Sequence, residues 1–163
     1  MTFQDLPANG IVSTTAEVLP AWLDYNDHMN VAYYVAAFDL GIDAFKAVLG
    51  IDLDYINREK KSTVALESHI TYQREASLGE QLRIETRLLN FDGKRCHLYQ
   101  EMYREHTLLS TLESLSISFD TTLRRSCPFE PIMAERYQQA FEAQKMVPIP
   151  QWVGKSVSMK KKS

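Results

Sequence analysis

The sequence is short of the residues that mark most specialised protein classes. It has two cysteines in 163 residues, Cys96 and Cys127, too few and too far apart for a disulfide-stapled secreted scaffold or for the paired Cys/His ligands of a zinc site. Both are expected to be inert, buried or half-buried thiols in a reducing cytoplasm. No apolar run approaches the ~20 residues of a membrane-spanning helix. The first ten residues carry acidic and polar groups where an export signal needs a basic end and an apolar core. A basic surplus is also missing: 18 Lys and Arg face 21 Asp and Glu, for a net charge of −3. Apart from Lys160-Lys161-Lys162 the cations are dispersed, which argues against a nucleic-acid or anionic-membrane surface and for a small-molecule or protein partner.

What is present suits one globular domain over 1–163: 18.7 kDa, 45% hydrophobic and 24% charged residues. Ile11 to Leu19 is rich in β-branched residues and ends at Pro20, which predicts a first strand. From Val31 to Leu49, Val31, Tyr34, Val35, Phe38, Ile42, Phe45, Val48 and Leu49 recur at helical steps and predict a long, largely buried central helix. Asn30 is its candidate N-cap and Gly50 its stop. After a polar connection over 52–61, with room for a helical turn, the period becomes two. Val64, Leu66, Ile70 and Tyr72 are expected on one side of a strand and Glu67, His69, Gln73 and Glu75 on the other. Gly79 marks a turn, and Asp92-Gly93 favours a tight hairpin between the strands over 82–88 and 94–104. A strand over 108–119 follows. Ile132 to Lys145 then reads as a helix (C-terminal, about 131–145) stopped by Pro148 and Pro150, with a loose tail over 151–163.

The order is α+β: a strand, a long apolar helix, about four antiparallel strands, and a late helix, the core lying over about 10–130. A twisted antiparallel sheet wrapped around one helix covers the apolar faces of both. Such a sheet keeps open edges, and edge pairing between copies predicts a homodimer, or a tetramer built from it.

Polar residues concentrate in Asp24-Tyr25-Asn26-Asp27-His28-Met29-Asn30, between the strand end and the helix start, where unpaired amides carry partial positive charge. Free amides near Val31 to Tyr33 would polarise a thioester carbonyl, and a nearby carboxylate would attack it or activate water. The same residue types are common turn and capping residues. Composition and spacing do not separate the two readings.

The run Trp22 to Tyr34 resembles the Asp-x-Asn-x-His-x-Asn-x-x-x-Tyr signature of plant plastid acyl-acyl carrier protein thioesterases and, more loosely, the 4-hydroxybenzoyl-CoA thioesterase family, both of hotdog fold. The resemblance implies a hotdog fold and catalytic roles for Asp24, Asn26 and His28. Tyr72-Gln73-Arg74-Glu75 resembles the Tyr-Arg-Arg-Glu segment of the plant enzymes and adds Glu75. In the second family the catalytic aspartate falls where this chain has Asn26, so the carboxylate passes to Asp24 or Glu75. Asp92 to His97, the Met102 strand and Ser114 through Arg124-Arg125-Ser126 are further similar to the thioesterases that occur alone or fused to L-carnitine dehydrogenase. These imply hydrolysis of betainyl-CoA, with no metal and no cofactor beyond the coenzyme A of the substrate. Asn30, Tyr33, Tyr34 and Trp22 are then expected at the substrate, with Trp22, Tyr25, Tyr33 and Tyr34 as an aromatic cage for a trimethylammonium group. Lys94 and Arg95, with Arg124 and Arg125 behind them, are candidates for the CoA phosphates. The competing readings are a non-catalytic acyl-CoA-binding hotdog module and a hotdog hydratase or dehydratase.

Overall fold

The helical and extended stretches form close to their expected places in the computed structural model, which describes residues 4–159. The terminal lysine run lies outside the described residues. The first strand, β1, is Val12–Glu17, and Pro20–Trp22 makes a short 3-10 turn. The long helix α1 is Val31–Val48, and the polar connection folds as a second helix, α2, Leu53–Glu59. The strands β2 (Lys61–Tyr72), β3 (Gln81–Phe91), β4 (Arg95–Arg104) and β5 (Thr107–Asp120) follow, with a two-residue β6 at Arg125–Ser126 before α3 (Pro131–Gln144).

Neighbours in sequence are not all neighbours in space. The antiparallel sheet runs β1-β3-β4-β5-β2, with β6 hydrogen-bonded to β5. β2 therefore lies at an edge beside β5 instead of pairing with β3. Residues 73–80 cross from one to the other, past the start of α1.

The face assignment expected for β2 is corrected by a bulge. Ala65 pairs with Ser116 and Glu67 with Leu115, so Leu66 is an extra residue. An inserted residue flips the side-chain alternation. Val64, opposite Ile117, shares a side with His69, while Ile70 and Tyr72 point to the other. Being at an edge, β2 leaves Val64, Leu66 and Tyr72 exposed.

α1 is also less enclosed than its apolar pattern predicts. Ala37, Phe38, Gly41, Phe45 and Val48 pack on the sheet, while Val31, Val35 and Leu40 are exposed. The buried side approaches closely because Gly41 has no Cβ: one built there would lie 2.5 Å from Gln100 Nε2 and 2.7 Å from Ile84 Cγ2. Gln100 Nε2 donates to Phe38 O at 2.8 Å and to Thr86 Oγ1 at 2.9 Å, tying the helix backbone to β3 and β4.

The core has two parts. Beside the start of α1 are Met29, Tyr34, Phe38, Ala76, Leu82, Met102 and Leu109. At its far end Phe45, Leu88, Leu98 and Cys96 meet Met133 and Tyr137 of α3. Burial pushes the Cys96 thiol up to about 12, as expected of an inert thiol, and both cysteines are unbridged.

After α3 the chain is held across the sheet face turned away from α1, and the expected loose tail over 151–163 is tied to it at Gly154. Arg87, Tyr99 and Glu113 are register partners in one row across β3, β4 and β5. The buried Arg87 guanidinium donates to Gln144 Oε1, to Val147 O at 3.0 Å and to Pro148 O at 2.9 Å. Glu113 Oε2 accepts from the Gly154 amide at 2.7 Å. The buried cation and the half-buried carboxylate both take backbone partners in the chain after α3, contacts that sequence periodicity does not reveal.

Gly41→Ala is expected to lower unfolding stability by about 1–3 kcal/mol, an overpacking cost, measured as a shift of the urea midpoint.

Candidate active site

The polar motif folds into a tight hairpin before it reaches the helix. Leu23 and Met29 form an antiparallel bridge, the Asp24 amide donates to His28 O at 2.9 Å, and the Asp27 amide donates to Asp24 O at 3.1 Å. Asp27 takes the left-handed conformation, φ 61°, which Asp tolerates better than most residues. Asp24 Oδ1 accepts the Asn26 amide at 2.8 Å. Asp24 and Asp27 thus do serve as turn residues, while the second Asp24 oxygen has no partner among the described residues. Asn26 is exposed.

The hairpin delivers His28 and Met29 to the 73–80 crossover. The Met29 amide donates to Ala76 O at 2.8 Å, and His28 bridges with Ser77. His28 Nε2 then lies 3.3 Å from Glu75 Oε1, the histidine half-buried and the carboxylate largely exposed. Of the predicted catalytic residues the fold brings His28 and Glu75 into contact; Asp24 and Asn26 remain on the hairpin beside them.

Asn30 caps α1 as expected, its side chain accepting the Ala32 amide at 3.0 Å, and its carbonyl accepts the Tyr33 amide at 2.9 Å. Of the amides expected to be free, that of Val31 has no partner among the described residues. Beside it is a shallow groove of about 250 Å³ lined by Met29, Val31, Tyr34, Tyr72, Gln73, Arg74 and Glu75. A carboxylate and an unpaired helix-start amide on one groove can activate a nucleophile and stabilise an oxyanion.

The other expected contacts are redistributed. Trp22 and Tyr33 stack on each other, ring centroids 5.7 Å apart at 13°, leaving no gap for a cation between them. Tyr25 is 95% exposed, and Tyr34 is buried. The four aromatics therefore form no cage within the chain. Tyr72, packed edge-on against Tyr34 at 5.2 Å, is the half-exposed ring that lines the groove. Lys94 and Arg95 follow the far end of β3, about 33 Å along the strand from its start near the site, at ~3.3 Å per residue. Arg95 is paired with Asp92 there. The groove's own cation is Arg74, whose Nη1 donates to Gln73 O. Tyr72 and Arg74 were readable only as neighbours of Glu75 in the Tyr72-Gln73-Arg74-Glu75 segment. Among the described residues no cluster of His, Cys, Asp or Glu could hold a metal, and no helix is long and apolar enough to cross a membrane.

An antiparallel sheet over one long helix, in this strand order, is the hotdog architecture of the thioesterases. The chain belongs to the thioesterase-like superfamily, whose family profile matches residues 18–156. It is 33% identical to the betainyl-CoA thioesterase of Pseudomonas aeruginosa over 91% of this chain and 96% of that one. It is also 33% identical to the L-carnitine dehydrogenase/betainyl-CoA thioesterase of Ruegeria pomeroyi, over 90% of this chain but 30% of that larger protein. A Staphylococcus aureus protein solved in complex with CoA shares the fold with a TM-score of 0.85 at 24% identity, covering 98% of this chain and 99% of that one. The DHNA-CoA thioesterase of the same species gives a TM-score of 0.78 at 14% identity, with 86% and 97% covered.

Asn30→Ala removes the cap of α1 and is expected to cost about 1 kcal/mol, read as a lowered thermal midpoint.

Proposed function

We propose that this chain hydrolyses acyl-CoA thioesters to free CoA and a carboxylic acid, with betainyl-CoA as the substrate. The observation that carries the reading is that Glu75 and Val31, whose amide has no partner among the described residues, line one groove, with His28 against Glu75. The thioester carbonyl lies against the Val31 amide. Asp24 or Glu75 supplies the carboxylate, as nucleophile or as base for water, and His28 and Asn26 orient the water or polarise the carbonyl. CoA enters as part of the substrate, and Arg74 is the cation that lines the groove. The acyl assignment draws on the similarity to the Pseudomonas aeruginosa enzyme along nearly the whole chain.

The working form in this reading is a homodimer joined along β2. Leu66 is 54% and Tyr72 47% exposed on that edge strand, and Val31 and Val35 of α1 are exposed as well. An unpaired edge bearing apolar side chains is a ready surface for a second copy. The free thiols fit a cytoplasmic protein.

A thiol-release assay over betainyl, short-chain, long-chain and aromatic acyl-CoAs tests the activity. Betainyl-CoA should turn over fastest, and, with Asp24 as the nucleophile or base, Asp24→Asn should lower turnover roughly a hundredfold or more with folding retained. Binding without release would favour an acyl-CoA-binding module, and a product still carrying CoA would favour a hydratase. A folded Asp24→Asn variant with full turnover would remove Asp24 from the chemistry and leave Glu75. Leu66→Asp is expected to convert the dimer to monomer in light scattering. A dimer unchanged by that substitution would rule out this edge as the joint.

A further inference from the structure

We infer that Tyr34 is a positioning residue: its buried hydroxyl holds the backbone on both sides of Glu75 and so sets the carboxylate against His28. The inference rests on the hydrolase reading above and gives Tyr34 a role different from substrate contact.

Tyr34 projects from the first turn of α1 and is only 4% exposed. Its Oη accepts the Ala76 amide at 3.1 Å and donates to Arg74 O at 3.3 Å. Both partners are backbone groups, one on each side of Glu75. A phenol has a single proton to donate, and that proton is committed to Arg74 O. Burial pushes the Tyr34 pKa up, which keeps the hydroxyl in the protonated form this clamp requires. The ring is fixed by the edge-on contact with Tyr72.

The clamp matters because little else fixes Glu75. Its side chain is 68% exposed, and its contact with His28 is 3.3 Å long. Such an exposed pair has little energy of its own with which to organise a loop. The neighbouring backbone is anchored by the Gln73 and Arg74 amides on Leu109 O, at 2.8 and 3.1 Å, and by the Met29 amide on Ala76 O. Between those anchors, the Tyr34 hydroxyl is the buried side-chain group that reaches both flanks of Glu75. Removing it frees the Arg74 carbonyl and the Ala76 amide to turn, and Glu75 with them.

The test is a double-mutant cycle on kcat and KM with Tyr34→Phe, Glu75→Gln and the pair, using the substrate that the wild type hydrolyses best. Tyr34→Phe retains the ring and removes the clamp. It should lower kcat by roughly ten- to a hundredfold, the scale of a small misplacement of a reacting group, with KM little changed. In the Glu75→Gln background the same change should cost less than about twofold, because the carboxylate it positions is already gone. A full, additive loss in that background would show that Tyr34 acts on general stability and would overturn the inference while leaving the hydrolase reading intact. Full activity of Tyr34→Phe would do the same. Full activity of Glu75→Gln would overturn the inference together with the role of Glu75. Absence of thiol release from the wild type with every acyl-CoA would overturn the hydrolase reading itself, and this inference with it.

Discussion

The candidate site depends on a backbone stitch between two segments distant in the sequence. The hairpin before α1 donates its Met29 amide to Ala76 of the crossover, His28 bridges with Ser77, and the Tyr34 hydroxyl bonds on either side of Glu75. Each is a buried or half-buried polar contact at the end of the core. There an unpaired amide or carbonyl costs ~1–3 kcal/mol, so the two segments are driven to satisfy one another. The result is a helix start with one amide left over and a carboxylate nearby, on a base of Met29, Phe38, Ala76, Leu82 and Met102.

The crossover owes its position to sheet order. Because β2 pairs with β5 and not with β3, the chain must travel from the edge of the sheet back to β3, and the path takes it past the N-terminus of α1. A simple β2-β3 hairpin would have left Glu75 in a turn remote from the helix. The same order leaves β2 with one unpaired edge and leaves the outward side of α1 uncovered. The open groove and the exposed apolar residues are thus two consequences of one topological choice.

Much of the architecture was legible along the chain. The helical spacing of Tyr34, Phe38, Phe45 and Val48 located α1, Asn30 located its cap, and Asp92-Gly93 located the β3-β4 hairpin. These are local matters: one apolar stripe, one side-chain oxygen, one turn. Less was legible where alternation was broken by contacts from elsewhere. The Leu66 bulge shifted the faces of β2, and Glu113 held Gly154 in a segment that its composition marks as loose. At the site, resemblance singled out His28 and Glu75, which the fold joins. It also singled out Lys94 and Arg95, which the fold carries to the opposite end of β3, and it assembled from four aromatics a cage that Trp22 and Tyr33 close by stacking on each other.

The sequence by itself determined the long helix, the run of strands, the α+β class and the Asn30 cap, because each follows from side chains a few positions apart acting on their own backbone. The tertiary structure alone decided which carboxylate meets His28, which ring and which cation line the groove, and that the Tyr34 hydroxyl bonds backbone on either side of Glu75. Those outcomes turn on the pairing of β2 with β5 and on the satisfaction of buried amides and carbonyls across some fifty residues of intervening chain, and periodicity carries no record of such long-range pairing.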